Sequence, residues 1–199
     1  KRPLCQDTGI VTCFVKVGMG VTWDKTDITV QEMVDEGTRR AYLNPDNPLR
    51  ASIVADPAGA RKNTKDNTPS VVHIDMVAGE KIEVMIAAKG GGSENKSKMV
   101  MLNPSDDIAD WVVKTLPTMG AGWCPPGMLG IGIGGTAEKA AVLAKESLMD
   151  PVDIQELIER GPQTTDEKLR LEIFDRVNKL GIGAQGLGGL TTVVDVKIK

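Results

Sequence analysis

The stretch CQDTGIVTCFVKV, residues Cys5 to Val17, joins a polar turn to a run of apolar and β-branched residues. The run from Ile10 to Val17 is typical of a buried β-strand. The turn before it places a cysteine beside a glutamine and an aspartate. Cys5 could therefore be a buried thiol, half of a disulfide, a nucleophile or a metal ligand.

Working outward from this strand, the chain mixes strands and helices. Thr29 and Glu32 have the spacing of a capping box and predict a helix to about Leu43. Residues 71–77 and 81–88 flank Ala-Gly-Glu and predict a β-hairpin, and the polar residues 56–69 predict an exposed loop. Further helices are expected from Ser105 to about residue 116, from 136 to 148, at 151–160 and at 165–180, and further strands at 128–133 and 191–198. The expected fold class is α/β to α+β, with mixed β-sheets flanked by helices.

Composition excludes several classes of protein. The net charge of −3 and the aromatic content of 3% argue against a nucleic-acid-binding surface. No apolar run approaches the roughly 18–20 residues that span a bilayer, and three cysteines are too few for a disulfide scaffold. These features predict a cytoplasmic protein that binds neither nucleic acid nor membrane.

Three features are candidates for binding an anion. KGGGS (Lys89–Ser93) follows a predicted strand, and its backbone could approach an anion closely or form a flexible loop. GIGIGGT (Gly130–Thr136) superficially resembles a dinucleotide fingerprint, but no P-loop G-K-[ST] ending follows it; its glycines could help bind a carboxylate or allow a strand and a helix to pack closely. Arg50, in NPLRAS, could bind a carboxylate through its guanidinium or lie on the surface.

The three cysteines differ in setting. Cys13 lies inside the first predicted strand, where a buried inert thiol is expected. Cys124 lies in WCPPG, where two prolines stiffen the turn. The one histidine, His73, is expected on the face of a strand, so a cysteine nucleophile lacks a base. The sequence contains no CxxC or HxxxH pair that would indicate a zinc site. Two alternatives remain for the cysteines on turns: their thiolates bind a larger group from distant loops, or they bind no metal.

Six motifs, CQDTG, LRAS, AKGGGSENKS, CPPG, IGGT and LGIGAQGLGG, occur in this order between Cys5 and about Gly189. Together they resemble the N-terminal domain of class I iron–sulfur fumarate hydratases and of the related L-tartrate dehydratase alpha subunits. The resemblance implies the fold of that domain and reversible hydration of fumarate to L-malate, a step of the tricarboxylic acid cycle. The alternatives are an L-tartrate dehydratase alpha subunit and, in another class, a non-catalytic domain that binds small anions.

The same resemblance assigns a site. Members of the family bind a [4Fe–4S] cluster through three cysteines and leave one iron open to a small dicarboxylate substrate. Cys13 matches none of these ligand positions and is expected to be structural. The residues assigned to the site are the cluster ligands Cys5 and Cys124, the catalytic residues Gln6 and Asp7, and the substrate-binding residues Arg50 and Gly92.

The sequence also departs from the family pattern. The family's third cysteine and a histidine follow the glycine-rich stretch, and this sequence stops at Lys199 before either. The family also has helices before CQDTG, and its catalytic base lies in a C-terminal domain or a separate beta subunit. We therefore expect residues 1–199 to be part of a single N-terminal (alpha) domain truncated at both ends, with an incomplete cluster and no activity alone. The full enzyme is expected to be a homodimer or heterotetramer.

Overall fold

The computed structural model describes residues 9–47 and 49–199. Cys5, Gln6 and Asp7 therefore lie outside the described residues. The chain divides into two compact units, Lys1–Gly91 and Gly92–Lys199. Small sheets and helices occur in both, which confirms the expected mixed α/β content. The class I type of fold, and the expectation of one domain truncated at both ends, stay predictions.

The two units differ in their elements. In the described part of the first unit these are β1 (Ile10–Gly18), α1 (Val30–Leu43), β2 (Val54–Ala55), β3 (Lys62–Asn63), β4 (Val71–Val77) and β5 (Ile82–Lys89). One helical turn, α2 (Gly91–Glu94), begins at the last residue of this unit. The second unit contains α3 (Ile108–Thr115), β6 (Gly127–Ile131), α4 (Ala137–Ser147), α5 (Ile154–Arg160), α6 (Thr165–Lys179) and β7 (Val193–Ile198), with 3₁₀ turns at Leu116–Met119 and Ala184–Gly186.

β1 is the central strand of the first unit. It lies between β4, to which it is parallel, and β5, to which it is antiparallel. The predicted β-hairpin of these two outer strands is therefore wrong, because β1 takes the place between them. The end of β1 reaches into their connection, where the Gly18 N–H donates to the Lys81 carbonyl and the Met19 N–H to the Val77 carbonyl, both at 2.8 Å.

The two faces of β1 are packed differently. On one face Cys13, Val15 and Val17 form a buried cluster against which Val30 and Val34 of α1 pack. Burial raises the pKa of the Cys13 thiol, as expected for an inert structural cysteine. α1 starts at the predicted capping box of Thr29 and Glu32.

On the opposite face, His73 of β4 stacks on Phe14, with ring centroids 4.8 Å apart and an angle of 21° between the rings. The register pairs the same two residues across the parallel strands. His73 is therefore a strand-face residue, as predicted, and its ring is part of the packing of the sheet.

In the second unit, β6 and β7 pair in parallel, and α3, α6 and β7 enclose the main core. The core is built from residues at helical spacing on α3 and α6 and from Val193 and Val196 of β7. Asp107, not Ser105 as predicted, caps α3, because its side chain accepts a hydrogen bond from the Asp110 N–H at 2.7 Å. The buried residues of the main core are Ala109, Val112, Leu116, Trp123, Ile173, Val177, Val193 and Val196.

A network of four charged side chains joins α5, α6 and β7. Asp195 is fully buried and lies 3.2 Å from both the Arg170 guanidinium and the Lys197 ammonium. The same two cations also contact Asp153, just before α5. Burial would raise the pKa of Asp153, but its hydrogen bonds and attraction to Arg170 and Lys197 lower it overall. Two positive and two negative charges thus balance inside the unit.

Replacing Val15 with threonine tests whether β1 is central. Val15→Thr places a hydroxyl in the buried cluster and is expected to lower the free energy of unfolding by about 1–3 kcal/mol, measured by chemical denaturation. Val84→Thr, on an outer strand and 56% exposed, is the matched control, with an effect of about 0.5 kcal/mol or less. Equal losses in the two variants would contradict the central position of β1.

Replacing Arg170 with methionine tests the charge network. Arg170→Met removes a cation from two aspartates, one of them fully buried, and is expected to lower the free energy of unfolding by about 3–5 kcal/mol. Arg176→Met on the same helix breaks ion pairs of a partly exposed side chain and is expected to cost about 0.2–1 kcal/mol. Denaturation followed by tryptophan fluorescence measures both; a loss at Arg170 no larger than at Arg176 would exclude a stabilising role for the network.

Candidate functional site

Asn67 ties together two motif segments of the first unit. Its side chain is fully buried and donates to the carbonyl of Gly9, the last residue of CQDTG, at 3.0 Å. The Asn67 carbonyl oxygen accepts from the Ser52 N–H at 2.8 Å and from the Ile53 N–H at 3.2 Å. The end of CQDTG and the segment that follows Arg50 are therefore held by one amide.

A third motif segment passes directly against Gly9. A Cβ atom at this position would lie 1.6 Å from the Lys89 carbonyl oxygen and 2.7 Å from the Gly90 Cα. Only glycine allows the two backbones to come this close. Gly9 at the end of CQDTG, the end of LRAS and the start of AKGGGSENKS thus meet within the first unit.

Arg50 is exposed at the start of this assembly. The next residue, Ala51, is anchored because its carbonyl accepts a hydrogen bond from the Asn63 side chain at 2.9 Å. Arg50 is therefore presented to solvent from a segment that is fixed on its C-terminal side by Asn63 and Asn67. A guanidinium has the planar donor geometry that matches a carboxylate.

In the second unit, Cys124 lies on a compact turn. Its backbone has a φ of 58°, and its N–H donates to the Ala121 carbonyl at 2.9 Å. Trp123 before it and Pro125 after it are buried, whereas Cys124 itself is half-buried. The neighbours hold the turn in place, and Cys124 is less buried than either of them.

The glycine-rich loop after α6 packs against this turn. The Pro125 carbonyl accepts hydrogen bonds from the Gln185 N–H at 2.6 Å and from the Gln185 side-chain amide at 3.3 Å. A Cβ atom at Gly186 would lie 2.8 Å from the Cβ of Ala121. CPPG and LGIGAQGLGG, which are far apart in sequence, are therefore neighbours.

The segment SENK (residues 93–96) also contacts the cysteine turn. A Cβ atom at Gly122 would lie 2.8 Å from the Cε of Lys96, so the lysine stem covers the backbone two residues before Cys124. Glu94 forms an ion pair with Lys145 of α4. Gly92, half-buried in α2, begins this segment. The second unit thus gathers three motif segments around one cysteine.

The motif GIGIGGT serves close packing between a strand and a helix. A Cβ at Gly130 would lie 2.3 Å from the Ala144 carbonyl oxygen, and one at Gly132 would lie 1.9 Å from the Ala140 carbonyl oxygen. Both carbonyls belong to α4, so these glycines let its backbone rest on β6. Gly134 and Gly135 are exposed at the start of α4, and the Thr136 hydroxyl there donates to Glu138 at 2.6 Å.

The motif residues therefore form two assemblies, one in each unit. In the first, Arg50 adjoins the end of CQDTG; in the second, Cys124 adjoins SENK and GAQG. Neither Cys13 nor Cys124 is in a disulfide. Within residues 9–47 and 49–199, no three His, Cys, Asp or Glu side chains converge as metal ligands. No helix in that part of the chain is long and apolar enough to cross a membrane.

Sequence analysis missed Asn67 and Gln185. Residues 56–69 were expected to be an exposed loop, yet Asn67 within them is fully buried and β3 pairs with β2. The available signal was an asparagine before Thr-Pro, because asparagine readily adopts left-handed backbone and bonds backbone groups. Its φ of 60° fits that preference, but its partners on distant segments could not be inferred from local sequence.

Replacing Asn67 with alanine tests the first assembly. Asn67→Ala leaves two N–H groups and one carbonyl without their partner, at about 1–3 kcal/mol for each group that stays buried. We expect the free energy of unfolding to fall by about 2 kcal/mol or more, and tryptic cleavage after Arg50 to accelerate. Asn63→Ala, an exposed asparagine bonded to the same segment, should cost about 1 kcal/mol or less because water replaces it. Equal effects would contradict the anchoring role of Asn67.

Known proteins of similar sequence identify the family of this chain. A family model described as Fumarate hydratase (Fumerase) matches residues 1–199. A protein of Methanocaldococcus jannaschii, provisionally named L(+)-tartrate dehydratase subunit alpha, is 36% identical over 203 residues, covering 99% of this chain and 68% of its own. The L(+)-tartrate dehydratase subunit alpha of Escherichia coli K12 is 31% identical over 204 residues, covering 100% of this chain and 64% of its own. The chain thus spans about two thirds of these relatives' length, and it belongs to the fumarate hydratase (Fumerase) family of hydro-lyases.

Proposed function

We propose that this chain is the catalytic alpha part of an iron–sulfur hydro-lyase that adds water reversibly across the double bond of a small dicarboxylate. The observation that carries the proposal is the assembly around Cys124. Cys124 is half-buried on a held turn, in which Lys96 covers the backbone at Gly122 and Gln185 bonds the Pro125 carbonyl. Membership of the hydro-lyase family gives this arrangement its chemical context.

A [4Fe–4S] cluster is the proposed cofactor, with Cys5 and Cys124 as two of its ligands. Cys124 fits this role because it is only half-buried and its backbone is held on both sides. Cys13 does not fit, because it is fully buried inside the first-unit sheet. The cluster, when bound, would supply an open iron that acts as a Lewis acid toward substrate oxygen.

The substrate is proposed to be held by its carboxylates. Removal of a proton next to a carboxylate builds negative charge on that carboxylate, and a guanidinium or a backbone N–H lowers the energy of this charge. Arg50 supplies the guanidinium and Gly92 the N–H in this proposal, while Gln6 and Asp7 contact the substrate. The exposure of Arg50 on an anchored segment supports its part.

A second protein part completes the site in this proposal. The relatives from Methanocaldococcus jannaschii and Escherichia coli are named as alpha subunits, and a beta subunit or a fused C-terminal domain would supply the catalytic base. We propose that residues 1–199 alone hold an incomplete cluster and lack turnover, and that the full enzyme is a homodimer or heterotetramer.

Fumarate and L-malate are the first proposed substrate pair, and L-tartrate is the second. The family description favours fumarate, whereas the names of the two relatives favour tartrate. L-Malate and L-tartrate differ by one hydroxyl group. A group that hydrogen-bonds this hydroxyl could discriminate strongly between them.

Reconstitution with iron and sulfide tests the cofactor. Anaerobic reconstitution of the chain is expected to yield less than a full cluster and no hydration of fumarate. Cys5→Ser and Cys124→Ser should each reduce bound iron further, whereas Cys13→Ser should leave it unchanged, since Cys13 is fully buried in the apolar cluster of β1. Iron and sulfide analysis with absorbance spectra measures this; retention of iron in both Cys5→Ser and Cys124→Ser would contradict the ligand assignment.

Calorimetric titration separates the proposed enzyme from an anion-binding module. Fumarate, L-malate and L-tartrate are titrated into iron-free and reconstituted protein. The proposal expects binding that is strengthened by iron and weakened by Arg50→Ala, with Arg40→Ala, an exposed arginine of α1, as the control. Equal binding to the iron-free protein would favour the module instead.

A further inference from the structure

Cys124 is bracketed by two backbone hydrogen bonds. Before the thiol, its own N–H donates to the Ala121 carbonyl at 2.9 Å. After it, the Pro125 carbonyl accepts from the Gln185 N–H at 2.6 Å and from the Gln185 side-chain amide at 3.3 Å. The direction of the thiol therefore depends on both anchors, and one of them belongs to a different loop.

The backbone conformation at Gln185 is unfavourable for a glutamine. Its φ of 56° and ψ of 21° lie in the left-handed region, which costs an L-residue roughly 1–2 kcal/mol. Glycine adopts this conformation readily, and asparagine does so more easily than most residues. A glutamine here is best explained by a contribution of its longer side chain, and that side chain reaches the Pro125 carbonyl.

The loop that carries Gln185 is closed independently of the cysteine turn. The Gly188 N–H donates to the Ile182 carbonyl at 2.8 Å, and the Gly183 N–H donates to the Thr192 hydroxyl at 3.2 Å. At its C-terminal end, the Asn178 side chain accepts from the Thr192 N–H at 2.7 Å. Gln185 therefore projects from a loop that has its own supports.

We propose that Gln185 is a positioning residue for the Cys124 thiol. Through its side-chain amide it holds the Pro125 carbonyl, and through this carbonyl it fixes the turn on which Cys124 is presented. The inference rests on the proposed function, in which Cys124 is a cluster ligand. A ligand thiol that is held in one direction before the metal arrives loses less conformational freedom on binding.

Alkylation of Cys124 tests this role without any iron. The native chain, Gln185→Ala and Gln185→Gly are treated with iodoacetamide, and modification of Cys124 is followed over time by peptide mass spectrometry. Loss of one side-chain hydrogen bond is expected to speed the reaction about two- to tenfold in both variants. Glycine also removes the cost of the left-handed backbone, so a role of backbone strain alone predicts no acceleration in Gln185→Gly.

Two controls separate positioning from general loosening. Gln155→Ala replaces an exposed glutamine on α5 and should leave the alkylation rate unchanged. Amide hydrogen exchange at Gly188, which belongs to the loop's own supports, should change less than twofold in Gln185→Ala. An unchanged alkylation rate in Gln185→Ala, or a parallel acceleration at Cys124 and Gly188, would overturn the proposal.

The alkylation rate of Cys124 and the iron content of Cys124→Ser test the positioning role and the ligand assignment separately. If Cys124→Ser retains iron while Gln185→Ala still accelerates alkylation, the ligand assignment fails and the positioning of the thiol stands. If Cys124→Ser loses iron while Gln185→Ala has no effect on alkylation, the ligand assignment stands and the positioning role fails.

Discussion

The motif loops of this protein come together at glycines, where a second backbone occupies the space that a side chain would fill. At Gly9 the chain passes against Lys89, and a Cβ would lie 1.6 Å from its carbonyl oxygen. At Gly132 the backbone of α4 occupies the corresponding space, with the Ala140 carbonyl oxygen 1.9 Å from a Cβ. No rotamer change relieves a clash with backbone atoms. These positions therefore decide which segments can be neighbours, and polar side chains then hold the neighbours together.

The holding groups in both units are side-chain amides. Asn67, fully buried, satisfies three backbone groups of two different segments, while Gln185 bonds the one carbonyl that follows Cys124. An amide can donate and accept at once, so it can fix a loop without introducing charge.

The charged groups of the second unit are used elsewhere. Asp195, Lys197, Arg170 and Asp153 neutralise one another between β7 and the helices. Removing any one of these groups would take from each opposite charge one of its two partners and unbalance the network. The network therefore specifies how α5 and α6 lie on β7, and α6 leads directly into the loop that carries Gln185. The geometry of that loop depends on this packing.

The sequence by itself determined most elements, the family and the candidate residues. The apolar run of β1, the capping box of α1 and the motif order from CQDTG to GAQG are local signals, because each depends on residues close together in the chain. Tertiary structure alone decided that β1 separates β4 from β5, since strand pairing depends on competition between distant segments. It also decided the partners of Asn67 and Gln185, because a buried amide bonds whichever backbone groups the fold brings to it.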